Sequence, residues 1–235
     1  MPKIRTLELI FDFELQPYEI PAFRGAIIDL VGRDHVAFHN HKGESGYFYH
    51  YPRIQYKVNR QYAAIFCLED GIEELYDLFS KKNNHILFSG KRHKLSIRHI
   101  SIANPLVQTW DRIFHYRIFS WLPLSQRNFK TYQEKESEVE RLQMLEAVLK
   151  GNMLTFAKGI NWQVERELSC KITRVIREKK IKHKAINMKA FDLEFSTNVY
   201  LPNQVGLGKG VSTGFGVVRH KRKTDKKPTN EDKLH

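Results

Sequence analysis

The chain has 235 residues and carries 39 Lys and Arg against 26 Asp and Glu, a formal net charge of +13. That length suits one large domain or two of about 100 residues, and clustered positive charge points first to nucleic acid. A membrane span is excluded because no apolar run reaches ~20 residues, and Cys67 and Cys170 form no Cys-x-x-Cys pair, so zinc fingers and redox motifs are unsupported.

Residues 3–13 alternate like a strand, with no charged segment leading a long apolar run as in a signal peptide. Residues 17–31 place Ile20, Phe23, Ile27, Leu30 and Val31 at helical spacing, and Gly32 ends that helix. Residues 53–58 and 62–68 form a strand pair turning near Asn59 and Arg60. Residues 70–81 carry Ile72, Leu75, Leu78 and Phe79 on one side of a helix. Strands 85–89 and 95–103 follow, joined by a basic turn of Gly90, Lys91, Arg92, His93 and Lys94. Strand, helix, strand, strand, helix, strand is the ferredoxin-like order. It predicts a first domain over residues 1–104 that contains the histidine segment.

The second domain is expected over 105–218. Residues 113–122 read as a strand with Trp121, and 134–158 as a long helix with Val139, Leu142, Leu145, Val148 and Leu149 on one face. Its exposed face holds Glu134, Glu136, Glu138 and Glu140, acid that points away from any polyanion. Residues 164–176 and 184–200 pair as long strands. Lys171, Arg174, Arg177, Lys179, Lys180, Lys182 and Lys184 lie between them against a single acid, Glu178. A glycine run and a last strand, 215–219, close the domain. The element order repeats that of the first half with one helix less evident. The fold class is therefore α+β: two tandem ferredoxin-like (RRM-like) domains with a C-terminal glycine-rich loop. Residues 219–235 are basic and almost free of apolar side chains, the composition of a disordered tail.

Two stretches carry chemistry. The first is Phe38, His39, Asn40, His41. Imidazoles titrate near neutral pH and can serve as general base or general acid. On an extended backbone, residues two apart share a face, so His39 and His41 could flank one scissile phosphate. The competing readings are exposed histidines or a metal site. His35 and His50 are the nearby candidate ligands, with no convincing third. The second stretch is residues 206–216, with Gly206, Gly208, Gly210, Gly214 and Gly216 around Lys209, Ser212 and Thr213. Successive backbone amides in glycine-rich turns cradle anions. The competing reading is a flexible turn before the last strand. Lys209 is followed by Gly210, so the run is not a P-loop, and no βαβ unit follows it.

The spelling of residues 206–216, Gly-hydrophobe-Gly, five residues, Gly-hydrophobe-Gly, resembles the loop that ends the CRISPR-associated repeat-RNA processing endoribonucleases. These are the sixth Cas family of the RAMP superfamily. Residues 38–41 resemble the branch with a His-Asn-His active-site segment. So do the strand Tyr51, Pro52, Arg53, Ile54, Gln55, Tyr56, Lys57, the helix start at 21–26 and the stretch 121–132. The resemblance touches both halves of the chain. It implies metal-independent cleavage of CRISPR repeat RNA in precursor guide transcripts, leaving 5′-hydroxyl and 2′,3′-cyclic phosphate ends. By that carry-over His39 and His41 are the catalytic pair. Lys42, Tyr47 and Tyr49 are unassigned candidates for a third group.

Phosphate neutralisation is expected from the glycine run together with Lys57, Lys91, Arg92, Arg98, Arg174 and Arg177. No cofactor, metal or membrane is called for, and the reduced cysteines suit the cytoplasm. Homodimerisation and association with a CRISPR effector complex are left open. The alternative function is a non-catalytic RNA-binding RAMP subunit of such a complex. A two-histidine phosphoesterase would need two His-x-Ser/Thr motifs, and His99, Ile100, Ser101 supplies one.

Overall fold

The computed structural model describes residues 3–33, 35–39, 51–82, 84–183 and 186–221. The first half contains β1 (Thr6–Glu14), α1 (Ile20–Val31), α2 (Val36–His39), β2 (Ile54–Asn59), β3 (Tyr62–Leu68) and α3 (Leu75–Phe79). β4 (His85–Phe88), β5 (Lys91–Lys94) and β6 (Ile97–Ala103) complete it. The main sheet has the antiparallel order β2-β3-β1-β6, which is the ferredoxin-like arrangement. α1 buries Ile20, Phe23, Ile27 and Val31, one stripe at helical spacing, and stops at Gly32, whose N–H donates to the Ile28 carbonyl.

Two local readings change here. The basic turn at 90–94 is strand β5, paired with β4 through the two-residue turn Ser89 and Gly90. The pairing is possible for so polar a segment because His93 stacks its ring 4.4 Å from that of Phe88 and 4.7 Å from that of Phe13. The helix expected at 70–81 is a short 3-10 turn (Glu69–Gly71) followed by the five-residue α3.

The second half contains β7 (Thr109–Trp121), α4 (Gln126–Glu134), α5 (Glu138–Gly159), β8 (Cys170–His183), β9 (Ile186–Val199) and β10 (Val217–His220). Its sheet order, β10-β7-β9-β8, repeats the first, and the glycine run stands where a second helix would lie. The long helix begins at Glu138 because Ser137 and Glu140 form a reciprocal capping box. Glu138 and Glu140 thus sit in a first helical turn, where the macrodipole favours acid. The cationic stretch expected between strands is β8 itself, which pairs along its whole length with β9. Arg219 and His220 belong to β10, and the Lys221 ammonium lies 2.6 Å from the Glu194 carboxylate, so residues 219–221 belong to the second domain's fold and not to the expected tail.

β3 explains how the halves join. Ile65 and Cys67 face α1 and the first core, while Phe66 and Leu68 pack with Trp121, Phe156 and Phe191 in the second. A strand buried on both faces reads as the continuous apolar run found at 63–68. The seam between domains is therefore hydrophobic core.

Candidate active site

The strand that follows the histidine segment presents its side chains alternately. Ile54 and Tyr56 enter the first core. Tyr51, Arg53, Gln55 and Lys57 take the opposite face, toward the second domain. The Tyr51 hydroxyl donates to the Gly206 carbonyl at 2.7 Å, and the Gly206 N–H donates to Gln55 Oε1 at 3.1 Å. Gln55 Nε2 in turn donates to the Tyr51 oxygen at 3.0 Å. Arg53 donates from Nε and Nη2 to the Gly159 carbonyl, closing the C-terminus of α5, and pairs with Asp70. The first glycine of the run is thus held at both backbone groups by the first domain.

Tyr56 brings the two chemical stretches together. Its backbone N–H donates to the Ser212 carbonyl at 3.2 Å, and it forms a parallel bridge with Thr213. Its hydroxyl lies 3.5 Å from the Phe38 carbonyl, one residue before His39. The glycine run and the histidine turn therefore lie at opposite ends of one buried side chain. His39 closes the helical turn α2, so its backbone is helical and the extended two-residue alternation expected of this segment does not apply there. His41, Lys42, Tyr47, Tyr49 and His50 lie outside the described residues.

The glycines mostly serve packing. Gly206 and Gly216 are buried, and the Gly216 N–H donates to the Ser120 carbonyl at 3.3 Å. They are not open phosphate donors, which corrects that expectation. A Cβ on Gly208 would come 2.8 Å from the Trp121 indole nitrogen, and one on Gly214 would overlap Ile20. Thr213 donates through its hydroxyl to the Gly210 carbonyl at 3.1 Å. Lys209 is exposed, and Gly210 and Ser212 are half-buried.

Lys57 is a second correction. It is 1% exposed, its Nζ has no hydrogen-bond partner, and it stands 6.0 Å from the centre of the Phe66 ring. In this structure it is no surface phosphate ligand. Burial pushes its ammonium down to about 7, with Glu8 opposing and Arg219 adding to the shift. Between that value and the unfolded value of 10.5 the unfolded chain binds the extra proton, so this residue's contribution to stability rises with pH. Lys57→Met is expected to stabilise the fold by about 1–4 kcal/mol at pH 7, the range for replacing buried charge with apolar volume. The gain should shrink toward pH 10, as read by urea melts across that interval.

The remaining cations sit on separate elements. Arg98 lies over the Tyr62 ring, pairs with Asp12, and lines an interdomain groove of about 560 Å³ together with Arg60, Arg219 and His220. Lys91 and Arg92 are exposed on the β4–β5 hairpin beside α1. Arg174 and Arg177 are exposed on edge strand β8, three strand spacings or about 14 Å from β10. Among the described residues, His35, Glu74 and Asp77 bring their ligand atoms within 4.8 Å of one another, the grouping that sequence spacing alone missed.

The profile of the Cas6b N-terminal domain matches residues 2–104, and that of the Cas6b C-terminal domain matches residues 108–221. A solved Cas6b structure aligns with a TM-score of 0.85 at 26% identity, covering 93% of this chain and 99% of that one. A structure described as the CRISPR RNA processing endoribonuclease Cas6b aligns at 0.71 and 24% identity, covering 93% and 99%. An uncharacterised protein of Methanocaldococcus jannaschii, MJ0978, is 30% identical over 109 residues, 46% of this chain and 73% of the relative. With both domain profiles matched across nearly the whole of the two sheets, the chain belongs to the Cas6b family of CRISPR-associated proteins.

Proposed function

We propose that this chain is an endoribonuclease that cleaves CRISPR repeat RNA in precursor transcripts to give guide RNAs, and that it needs no metal to do so. The division between its two domains is taken at residues 104 and 105, and its setting is the cytoplasm. The reading is carried by Tyr56, which joins the glycine run at its backbone and the turn ending in His39 at its hydroxyl. One imidazole of His39 and His41 takes the proton of a ribose 2′-hydroxyl. The 2′-oxygen attacks the adjacent phosphorus, and the bond to the 5′-oxygen breaks as the other imidazolium protonates it. The products are a 2′,3′-cyclic phosphate and a 5′-hydroxyl.

RNA would be held by Lys209 and Ser212 of the run, Lys91 and Arg92 beside α1, Arg98 in the interdomain groove, and Arg174 and Arg177 on β8. Gly206, Gly208, Gly214 and Gly216 shape the loop rather than touch the substrate. The test is incubation of the full chain with its repeat RNA in EDTA, followed by end-group analysis. Cleavage to cyclic phosphate and 5′-hydroxyl ends is expected. Binding without cleavage, in EDTA and in added divalent metal alike, would instead favour a non-catalytic RNA-binding subunit.

A further inference from the structure

The turn that ends in His39 is too short to hold itself. α2 has four residues, and a single helical turn does not repay the cost of its own nucleation. Its conformation must come from outside anchors. At its C-terminal end the Phe38 side chain is 1% exposed in the first core, and the Phe38 carbonyl faces the Tyr56 hydroxyl. The N-terminal end has a polar anchor. His35 follows Gly32, to whose carbonyl its N–H donates at 3.3 Å, and its own carbonyl accepts from Phe38 N–H at 3.2 Å. Its imidazole Nδ1 lies 3.0 Å from Asp77 Oδ2 on α3. A carboxylate only accepts, so the proton sits on Nδ1 and the ring is fixed in one orientation.

We propose that His35 is a positioning residue, tethered by Asp77 so that the turn carrying His39 is held against α3 in the geometry that RNA cleavage requires. The proposal rests on the reading of His39 as an acid–base group. Both side chains are about one-third exposed, with relative accessibilities of 33% and 35%, so the pair stands at the surface of the first domain rather than in its core. Removing it should loosen the turn without unfolding the sheet. Glu74 stands close enough to complete a three-donor set with His35 and Asp77, so the tether must also be separated from capture of a metal ion.

The experiment compares wild type with His35→Ala, Asp77→Ala, the double variant and His35→Asn, all in EDTA on repeat RNA. Asn places an amide N–H near the position of Nδ1 and keeps the donor without the imidazole. The single-turnover rate should fall about 10–100-fold in either alanine variant, because a small displacement of a catalytic group costs that much. RNA affinity should change less than about 2-fold. The double variant should be no slower than either single variant, and His35→Asn should recover most of the rate.

Wild-type rates in His35→Ala, or affinity falling in step with rate, would overturn the proposal. So would a His35→Asn variant as slow as His35→Ala, which would make the imidazole itself catalytic. A wild-type rate lost in EDTA and restored by zinc would replace the tether with a metal site. Amide hydrogen exchange at residues 35–39 reads the same tether without RNA. Faster exchange in both alanine variants is expected, and unchanged exchange overturns it. If the wild-type chain cleaves no RNA at all while this exchange effect is seen, the nuclease reading fails and the tether stands.

Discussion

His39→Ala and His41→Ala should each slow repeat-RNA cleavage by on the order of 10²–10⁴, the worth of one positioned proton transfer. RNA affinity in both variants should stay within a few-fold of wild type. The separation follows from where the charge sits. Lys209, Lys91, Arg92, Arg174 and Arg177 are exposed cations spread over the run, the β4–β5 hairpin and strand β8. Backbone neutralisation at such sites sets affinity. Two imidazoles placed for proton transfer rather than for backbone neutralisation add little to it. Single-turnover rates and a separate filter-binding isotherm for each variant make the check. A rate unchanged in both variants removes acid–base catalysis from this segment. Equal losses of rate and affinity would make the histidines substrate ligands instead.

What could be read from the sequence varied with the physical signal available. α1 was plain because one stripe of four buried side chains recurs at helical spacing. The start of α5 was also written out, in Ser137 followed three residues later by Glu140, but the acidic run before it extended the expected helix backwards. β5 was missed because Lys91, Arg92, His93 and Lys94 have the composition of a loop. Their strand exists through stacking of His93 on Phe88, a contact that no local pattern encodes. Lys57 shows the same gap at the site. A lysine in a strand reads as a solvent-facing cation, but here it follows Tyr51, Arg53 and Gln55 on a face covered by the other domain.

The glycine run was legible as a requirement for missing side chains and illegible as to its cause. The family spelling at 206–216 fixes where glycines stand. It does not tell backbone that must approach RNA from backbone that must approach itself. Structure separates them through burial and through what a methyl group would strike. That distinction is measurable at one position.

Gly216→Ala should destabilise the chain by about 3–5 kcal/mol, the range reached when overpacking and backbone strain coincide. Gly216 has φ +64, and an added Cβ would overlap the Leu207 carbonyl oxygen and lie 3.2 Å from the Leu207 nitrogen. Leu207 cannot retreat cheaply. Its side chain is fully buried, and its N–H donates to the Gly216 carbonyl at 2.9 Å. The neighbouring Gly206 is held at both backbone groups by Tyr51 and Gln55. For a chain of this size the melting temperature should drop by roughly 10 °C, at about 2–4 °C per kcal/mol. Gly151→Ala is the internal control, because Gly151 lies within α5 with nothing within 4 Å of its added Cβ. It should gain about 0.5–1 kcal/mol from reduced backbone freedom. Calorimetric melts of the two variants give opposite signs if the run is a packing device. An unchanged melt for Gly216→Ala, together with lost RNA affinity, would return Gly216 to the RNA-contacting surface.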